Sequence, residues 1–239
     1  MKFSLIIPAH NEEFCLVENT KKVLSFLTKK FPSNGWEIIL VENGSSDNTK
    51  NLIEKLASED QRIRPLILSS AGKGLAVKTG WDASDAEFLI FMDADLATDL
   101  KHLLELIKKL EDHDLVIGSR QLPDSKTTRT YTRKIFSFFY ILAGRLILKL
   151  PCSDFQCGFK GIKNSVWKKI SPQIQSTSWF FDTELLALAK DFKIAELPIV
   201  WQENRTSKNK SRVKVFKTAR YLLKSLFELK KRLATLSKR

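Results

Sequence analysis

Two carboxylates, Asp93 and Asp95, directly follow an unbroken apolar run at residues 88–92. Such a run predicts a buried strand of a parallel sheet, and the carboxyl ends of these strands line the ligand crevice of open α/β sheets. Alternation along the strand would place both carboxylates on the same side. Hard oxygen ligands suit Mg²⁺ or Mn²⁺ carrying a phosphate group, so we predict a metal site here. The alternative is that one aspartate caps the next helix, a position that Asp99 fills better.

Two other loops lie where predicted strands end or helices begin. Glu42 follows a second apolar strand, at the same edge of the sheet as Pro8 and Asp93, and either contacts a nucleoside or is a solvated acid of a turn. The Gly-Lys-Gly segment at 72–74 opens a helix, so its amides and Lys73 are placed to meet a phosphate. It lacks the pattern of a Walker loop, and no Gly-x-Gly-x-x-Gly follows the first strand, which argues against a dinucleotide site.

The order of elements predicts the sheet that would position these residues. Apolar strands alternate with helices over short links, which predicts a parallel α/β sheet with right-handed crossovers. The predicted strands are 3–8, 36–41, 63–68, 88–92 and 114–118, and the helices between them end near residues 30, 58, 86 and 111.

The second half of the chain has a different character. Residues 121–133 are polar and irregular, whereas 135–150 are apolar on nearly every face and predict a core helix or a helix lying in a membrane surface. The remaining predicted elements are a strand at 154–160, helices at 164–170 and 179–191, a strand at 194–201, a basic loop at 203–212 and a final helix at 213–236.

Composition bounds the class of protein. The chain has 239 residues, of which 43% are hydrophobic and 28% charged, as expected for one large or two small globular domains. Its three cysteines are odd in number and irregularly spaced, which favours packing residues in a reduced compartment. The most apolar uncharged run, residues 135–144, has ten residues, too short to span a bilayer, and no signal-peptide pattern precedes the first strand. We therefore expect a cytoplasmic protein without a transmembrane segment.

The charge is concentrated in one segment. The net charge is +13, and residues 205–239 carry 13 Lys/Arg against one acidic residue, or +12 of that total. Such a segment either meets an anionic partner or forms a solvated face. A nucleic-acid-binding protein would explain this tail, but it would leave Asp93 and Asp95 unexplained.

Seven short motifs stand out along the chain. They are Pro8-Ala-His-Asn-Glu12, Glu42-Asn-Gly-Ser45, Gly72-Lys-Gly74, Asp93-Ala-Asp95, Gly118-Ser-Arg120, Gln156-Cys-Gly-Phe159 and Phe181-Asp-Thr-Glu184. They occur in the order seen in family 2 glycosyltransferases. Over residues 3–212 the chain resembles this family, and within it the polyprenyl-phosphate hexosyltransferases, which include dolichyl-phosphate glucose and mannose synthases. The last two motifs are the most discriminating.

The resemblance implies a GT-A fold, with a mostly parallel central sheet flanked by helices and a Rossmann-like nucleotide-binding half. The catalytic domain would span 1–212, divided into a nucleotide-sugar half at 1–118 and an acceptor half at 119–212. A basic amphipathic helix would follow at 213–239. The implied reaction is a metal-dependent, inverting transfer of a hexose from a nucleotide sugar of the UDP-glucose or GDP-mannose type to a polyprenyl phosphate.

The resemblance also implies roles for individual residues. Asp93 and Asp95 would hold Mg²⁺ or Mn²⁺, and Asp182 would be an acid near the acceptor side of the sugar; together with Arg120 and Arg133 these form the catalytic set. The acceptor phosphate would be held by Arg120, Arg133, Ser137 and Gln156. The nucleotide sugar would be bound by Pro8, Asn11, Glu12, Glu42, Gly44, Lys73, Asp93, Arg205 and Lys208.

Some positions depart from the pattern of the family. Asp-Asp-Gly-Ser is usual where this chain has Glu42-Asn43-Gly44-Ser45, and Tyr-Asn-Glu is usual where it has His10-Asn11-Glu12. Mannose-type enzymes carry Gln where this chain has Ala97, which favours the glucose branch. The base of the nucleotide is left open.

Competing enzymes lack support in the sequence. A processive polysaccharide synthase would need a Gln-x-x-Arg-Trp motif and membrane spans, whereas Trp179 follows Ser178. A sugar-phosphate nucleotidyltransferase would need a glycine-rich loop after the first strand.

The final helix predicts how the enzyme would reach a lipid acceptor. Its apolar residues, among them Leu222, Leu226 and Leu229, fall near one face with lysines around it. We expect this basic helix to hold the protein at an anionic membrane surface, on the cytoplasmic face. The alternative is that the leucine face packs on the domain and the charges face water.

Overall fold

The structure is a computed structural model that describes residues 1–32, 35–128, 131–203 and 215–236, with the backbone alone for 131–133, 215–219 and 236. Its strands are β1 (Phe3–Ala9), β2 (Trp36–Asn43), β3 (Ile63–Leu68), β4 (Phe88–Met92), β5 (Leu115–Ser119), β6 (Lys126–Thr128), β7 (Phe159–Lys163), β8 (Ile194–Pro198) and β9 (Val200–Gln202). Its α-helices are α1 (Leu16–Lys30), α2 (Thr49–Glu59), α3 (Lys73–Asp82), α4 (Lys101–Asp112), α5 (Tyr131–Leu148), α6 (Asn164–Ile170), α7 (Phe181–Leu188) and α8 (Val215–Leu236).

Seven strands form one sheet in the order β3-β2-β1-β4-β7-β5-β8. β7 runs antiparallel to β4 and β5, and the other neighbouring pairs are parallel. The predicted mostly parallel sheet flanked by helices is therefore confirmed. β6 and β9 form a separate two-stranded parallel sheet, and β6 lies within the segment predicted to be irregular.

The strand predicted at 154–160 is wrong in position, because β7 begins only at Phe159. The backbone before it bends, and Asp154 Oδ1 accepts a hydrogen bond from Gln156 N at 3.1 Å. Local bonds of this kind compete with strand pairing. The bend takes residues 154–158 out of the sheet.

Both faces of the sheet are covered by apolar clusters. Along β4, Leu89 and Phe91 enter one cluster, whereas Phe88, Ile90 and Met92 enter the other. Every residue of this strand is buried, which explains why its sequence is continuously apolar rather than alternating. Each such side chain contributes roughly 1.5–3 kcal/mol through burial.

The C-terminal helix α8 packs on the domain. Leu222, Leu226 and Leu229 are buried in the same cluster as residues of α5 and α7. On the next turn, Arg232 forms an ion pair with the buried carboxylate of Glu184 on α7. Of the two roles left open for this leucine face, packing is the one the structure shows.

Candidate active site

The carboxyl ends of β1, β2 and β4 meet at one edge of the sheet. β1 and β2 pair in register from Phe3↔Trp36 to Ala9↔Glu42, and β1 pairs with β4 as far as Ile6↔Phe91. Because parallel strands present their carboxyl ends together, the segments after these strands share the ligand crevice.

Asp93 and Asp95 lie in a turn after β4 rather than on an extended strand. Leu96 N donates to Asp93 O at 3.2 Å, and Leu96 adopts a left-handed φ of 48°. Asp95 Oδ1 accepts from Ala97 N at 3.1 Å. The argument that strand alternation puts both carboxylates on one side is therefore wrong, although both follow the strand as predicted.

Lys73, the first residue of α3, reaches the first of these carboxylates. Its Nζ lies 3.0 Å from Asp93 Oδ1 and 3.7 Å from Asp182 Oδ2, and its side chain is only 12% exposed. Burial lowers the pKa of Lys73, but the charges of Asp93 and Asp182 outweigh burial and raise the pKa above its ordinary value. The ammonium is therefore a fixed positive charge beside Asp93.

The aromatic rings of Phe91 and Trp179 border this ammonium. Their centroids lie 5.3 Å and 5.5 Å from Lys73 Nζ, within the range of cation–π attraction. The segment carrying Trp179 is held against the start of α3, since Leu75 N donates to Thr177 O at 3.0 Å. A Cβ on Gly74 would lie 2.5 Å from Phe181 Cβ, so this approach requires a glycine.

Asp182 lies in the first turn of α7 and is 1% exposed. Its Oδ1 is 2.6 Å from the Nζ of Lys160, a lysine of β7 that is fully buried. Lys160 also donates to the carbonyls of Phe155 and Cys157. Sequence reasoning missed Lys160, although a lysine within an apolar strand is an unusual residue.

Arg120 follows β5 and forms a two-pronged ion pair with Asp154. Arg120 Nε lies 2.7 Å from Asp154 Oδ2, Nη2 lies 2.9 Å from Oδ1, and the backbone N of Arg120 also donates to Oδ2. Burial would raise the pKa of Asp154, but the charge and hydrogen bonds of Arg120 lower it to about 2. Burial lowers the pKa of Arg120, but the charge and hydrogen bonds of Asp154 outweigh burial and raise the pKa above its ordinary value, and the charge of Asp93 adds a smaller effect in the same direction.

The bent segment 154–158 links these groups. Gly158 O accepts from Asp93 N at 3.1 Å, and a Cβ on Gly158 would collide with the Asp93 carboxylate. Gln156 Nε2 donates to Thr183 Oγ1 at 2.9 Å, and Thr183 is bonded in turn to Tyr140 OH. The predicted acceptor residue Gln156 is thus tied to α7.

Glu42 is buried, so it is not a solvated acid of a turn. Its carboxylate accepts a hydrogen bond from Ser45 N. Next to it, Asn43 Oδ1 accepts from Gly72 N at 2.7 Å, which joins the loop after β2 to the start of α3. Gly44 has φ 64°, and a Cβ there would lie 2.7 Å from Ala71 N.

Asn11 and Glu12 join the loop after β1 to the loop after β2. Asn11 Oδ1 accepts from Ser46 N at 2.6 Å, and Glu12 N donates to Thr49 Oγ1 at 2.9 Å. The structure therefore brings Asn11, Glu12 and Glu42 to one end of the crevice; their predicted contact with the nucleotide sugar stays a prediction.

For four of the predicted site residues the structure gives less detail. Ser137 lies on α5 and is partly buried. Arg133 belongs to α5, where its backbone alone is described, and Arg205 and Lys208 lie outside the described residues.

Asp93 and Asp95 are the predicted ligands of a divalent metal. Among the described residues, no group of three or more His, Cys, Asp or Glu is arranged to hold an ion. Mg²⁺ is commonly bound by one or two carboxylates together with water and substrate phosphates, rather than by a full protein cage. Binding of Mg²⁺ or Mn²⁺ by these two residues stays a prediction.

The mostly parallel seven-stranded sheet flanked by helices is a GT-A-like fold. The sequence profile of Glycosyl transferase family 2 matches residues 4–171, and the chain belongs to this family. The resemblance inferred from the motifs is thus confirmed, and the protein is an enzyme that transfers a sugar.

The similarity to known proteins covers most of the chain. It is 35% identical over 223 residues to dolichyl-phosphate beta-glucosyltransferase of Dictyostelium discoideum, a match covering 86% of this chain and 68% of that protein. It is 30% identical over 243 residues to the protein of the same name in Saccharomyces cerevisiae, covering 92% and 72%. It is 32% identical over 213 residues to glycosyltransferase AglD of Haloferax volcanii, but spans only 34% of AglD.

Two solved structures share the fold. Glucosyl-3-phosphoglycerate synthase of Mycobacterium tuberculosis, solved with Mn²⁺, UDP and glucosyl-3-phosphoglycerate, superposes with a TM-score of 0.68 at 18% identity, covering 95% of this chain and 79% of that one. Residues 1–349 of S. aureus TarS superpose with a TM-score of 0.57 at 19% identity, covering 95% and 65%. At these identities the likeness establishes the GT-A fold alone.

Proposed function

We propose that the enzyme transfers glucose from a nucleotide sugar of the UDP-glucose type to a polyprenyl phosphate. The observation that carries the proposal is that two largely buried cations are fixed by carboxylates after the strands: Lys73 Nζ lies 3.0 Å from Asp93 Oδ1, and Arg120 Nε lies 2.7 Å from Asp154 Oδ2. A transfer between two phosphates must hold two anionic groups close together, which requires fixed positive charge. The relatives named as dolichyl-phosphate glucosyltransferases support this acceptor and this sugar.

In this proposal each cation serves one phosphate group. Lys73, at the start of α3, binds the diphosphate of the donor. Arg120 binds the acceptor phosphate, since a guanidinium fixed in orientation by Asp154 suits a phosphate oxygen pair. Asp93 and Asp95 would hold Mg²⁺ or Mn²⁺, which supplies Lewis-acid neutralisation of the leaving diphosphate.

The reaction needs little help from a base. An oxygen of the acceptor phosphate is already anionic at neutral pH and attacks the anomeric carbon, while the bond from that carbon to the donor diphosphate breaks with inversion. Asp182, predicted near the acceptor side of the sugar, has both carboxylate oxygens beside lysines and is buried. This supports a role for Asp182 in arranging charge rather than in taking a proton.

We further propose that the enzyme works as a peripheral protein on the cytoplasmic face of a membrane. Within the described ranges, no helix has the length and apolar character needed to cross a bilayer. Helix α5 instead exposes an apolar stripe at the spacing of one helical face. It consists of Ile135, Phe138, Phe139, Leu142 and Leu146.

The surroundings of this stripe favour a lipid surface as its partner. Lys134, Arg145 and Lys149 are exposed on the same helix or directly after it, and basic residues beside an anionic membrane contribute about 1 kcal/mol each. Helix α5 also carries Arg133 and Ser137, two of the four residues predicted to hold the acceptor phosphate. The basic tail adds positive charge, while its leucine face is engaged with the domain.

The test is an assay of the full chain with a panel of labelled nucleotide sugars, Mg²⁺ or Mn²⁺, and a polyprenyl phosphate in anionic vesicles. We expect labelled lipid to form fastest with UDP-glucose, and none with the unphosphorylated polyprenol. Gel shifts with nucleic acid test the other explanation of the basic tail, and we expect no salt-sensitive shift. Transfer to a soluble glycan in preference to the lipid would overturn the proposed acceptor.

A further inference from the structure

We propose that Lys160 is a positioning residue that sets the place of the Lys73 ammonium at the donor diphosphate, acting through the buried carboxylate of Asp182. The inference rests on the proposed function for the role given to Lys73. Lys160 itself lies inside β7 and reaches the site only through its neighbours.

Four charges alternate in sign from the core to the crevice. Lys160 Nζ lies 2.6 Å from Asp182 Oδ1, and Asp182 Oδ2 lies 3.7 Å from Lys73 Nζ. Lys73 Nζ then lies 3.0 Å from Asp93 Oδ1. Each carboxylate oxygen of Asp182 thus contacts a different lysine, and the contact with Lys160 is the shorter of the two.

The ammonium of Lys160 has a complete set of partners. Its three N–H groups match three acceptors, which are Asp182 Oδ1 and the carbonyls of Phe155 and Cys157. The neighbours of Lys160 along β7 are buried as well, so an apolar side chain would suit the strand. A buried ion pair is weak evidence for stability, which leaves the arrangement of charge at the site as the better explanation of this lysine.

Because the Asp182 carboxylate contacts two lysines, its interaction with Lys160 determines the position of the Lys73 ammonium. Because Lys160 compensates most of the Asp182 charge, Lys73 remains closer to Asp93 than to Asp182. The ring of Phe91 borders both ammonium groups, 5.3 Å from Lys73 Nζ and 5.7 Å from Lys160 Nζ. Without Lys160, the uncompensated carboxylate would draw Lys73 inward and away from the crevice.

A second, purely structural route is open to Lys160 and must be separated from this one. By binding the carbonyls of Phe155 and Cys157, Lys160 also supports the bend that carries Gly158 against Asp93. That route does not pass through Asp182. A double-mutant cycle distinguishes the two, because residues acting through one another have non-additive effects.

The experiment measures binding of UDP, GDP and UMP to the full chain with Mn²⁺, by calorimetry, for K160M, D182N and the double variant K160M/D182N. We expect K160M to weaken UDP binding at least tenfold and UMP binding less, since UMP lacks the second phosphate. We expect the double variant to bind UDP within about twofold of D182N. The control is K163M on the same strand, whose ammonium lies 3.9 Å from Asp114 and is partly exposed.

Thermal unfolding of each variant is recorded separately from binding. The proposal is overturned if K160M binds UDP as K163M does, or if the effects of K160M and D182N multiply in the double variant. If K160M does not fold, the double variant K160M/D182N decides alone, because it removes one charge of each sign and so leaves no unpaired charge. The proposal is then overturned if the double variant binds UDP more weakly than D182N does. Wild-type protein that binds neither UDP nor GDP overturns the proposed function too, whereas failure of lipid transfer alone leaves this test intact.

Discussion

Arg120 and the buried residue Asp154 form a two-pronged ion pair, with distances of 2.7 Å and 2.9 Å between guanidinium nitrogens and carboxylate oxygens. The pair joins the end of β5 to the bend before β7. A guanidinium fixed in this way loses little further freedom when it binds a phosphate. The arrangement leads to two predictions, one for the reaction and one for stability.

Replacing Arg120 by lysine should impair use of the lipid acceptor far more than binding of the donor. R120K keeps the charge beside Asp154 but loses the fork, and charge-assisted hydrogen bonds contribute about 1.5–3 kcal/mol each. For R120K we expect the KM for the polyprenyl phosphate to rise at least tenfold, while the affinity for UDP stays within about twofold of wild type. For R133A we likewise expect the KM for the polyprenyl phosphate to rise more than the affinity for UDP falls. The control is R62K, in a partly exposed pair with Asp60. Loss of donor affinity with an unchanged acceptor KM would assign Arg120 to the other phosphate.

The pair should also stabilise the fold in a pH-dependent way. The pKa of Asp154 is about 2 in the folded protein and near 3.9 in the unfolded chain, so its contribution is fully present above about pH 4 and is lost as the pH falls toward 2. The contribution is on the order of 2 kcal/mol. We expect the difference in unfolding free energy between wild type and D154N, measured with urea, to shrink between pH 5 and pH 2.5. A difference that is constant over this range would contradict the assignment.

Asp95→Asn should abolish transfer while leaving the fold intact. Asn keeps the size of the side chain but removes a ligand charge, which should lower kcat by roughly 100-fold or more. Initial rates at saturating Mn²⁺ measure the loss, and circular dichroism checks the fold. D99N, an exposed acid in the segment before α4, is the matched control and should retain activity. Near-wild-type turnover by D95N would remove this residue from the site.

Gly158→Ala should damage activity more than stability. The added methyl group would displace the Asp93 carboxylate, and a misplacement of about 1 Å in a site can cost 100-fold in rate. The control is G35A, where the nearest atom to an added Cβ is 3.8 Å away. Steady-state rates and melting temperatures of both variants are compared. Equal rates for the two would show that the contact with Asp93 is not needed.

The exposed stripe of α5 should mediate membrane binding. We expect the double variant F138S/F139S, whose wild-type rings are 63% and 62% exposed, to lose most co-sedimentation with anionic vesicles while its melting temperature is unchanged. I67S, which removes an exposed apolar residue from β3, is the control. Retention of vesicle binding by the double variant at both low and high salt would place the docking surface elsewhere.

The site residues whose positions could be predicted from the sequence are those that follow from the local pattern of apolar and turn residues. An unbroken apolar run such as β4 indicates a strand buried on both faces, so the position of Asp93 at the end of a strand could be predicted. The position of Lys73 at the start of a helix could be predicted because it follows a glycine. The partners of these residues were not predictable in the same way. Lys160 and Asp182 are 22 positions apart, and Arg120 and Asp154 are 34 apart, so their pairing depends on how β5, β7 and α7 come together.

The turn at Asp93 illustrates the same limit on a smaller scale. Extended alternation beyond Met92 is a sound expectation for a strand, yet the backbone turns at Leu96 through a left-handed conformation. The bend at 154–158 combines a local bond, from Gln156 N to Asp154, with contacts to Arg120 and Asp93, which come from distant parts of the chain. In both cases the departure from regular structure occurs at the site.

The ion pair between Arg232 and Glu184 determines where the chain can be shortened. Glu184 also accepts hydrogen bonds from Gln175 N and Ser176 N, in the segment that leads to Trp179. A fragment ending at residue 171, where the family match ends, would lack α7 and α8 entirely. A fragment ending after β9 would keep Glu184 but leave this buried acid without Arg232, and it would uncover the part of the apolar cluster on which α8 packs. For expression, crystallisation or grafting, the smallest self-sufficient piece therefore reaches at least to the last turns of α8, well past the border that sequence comparison draws.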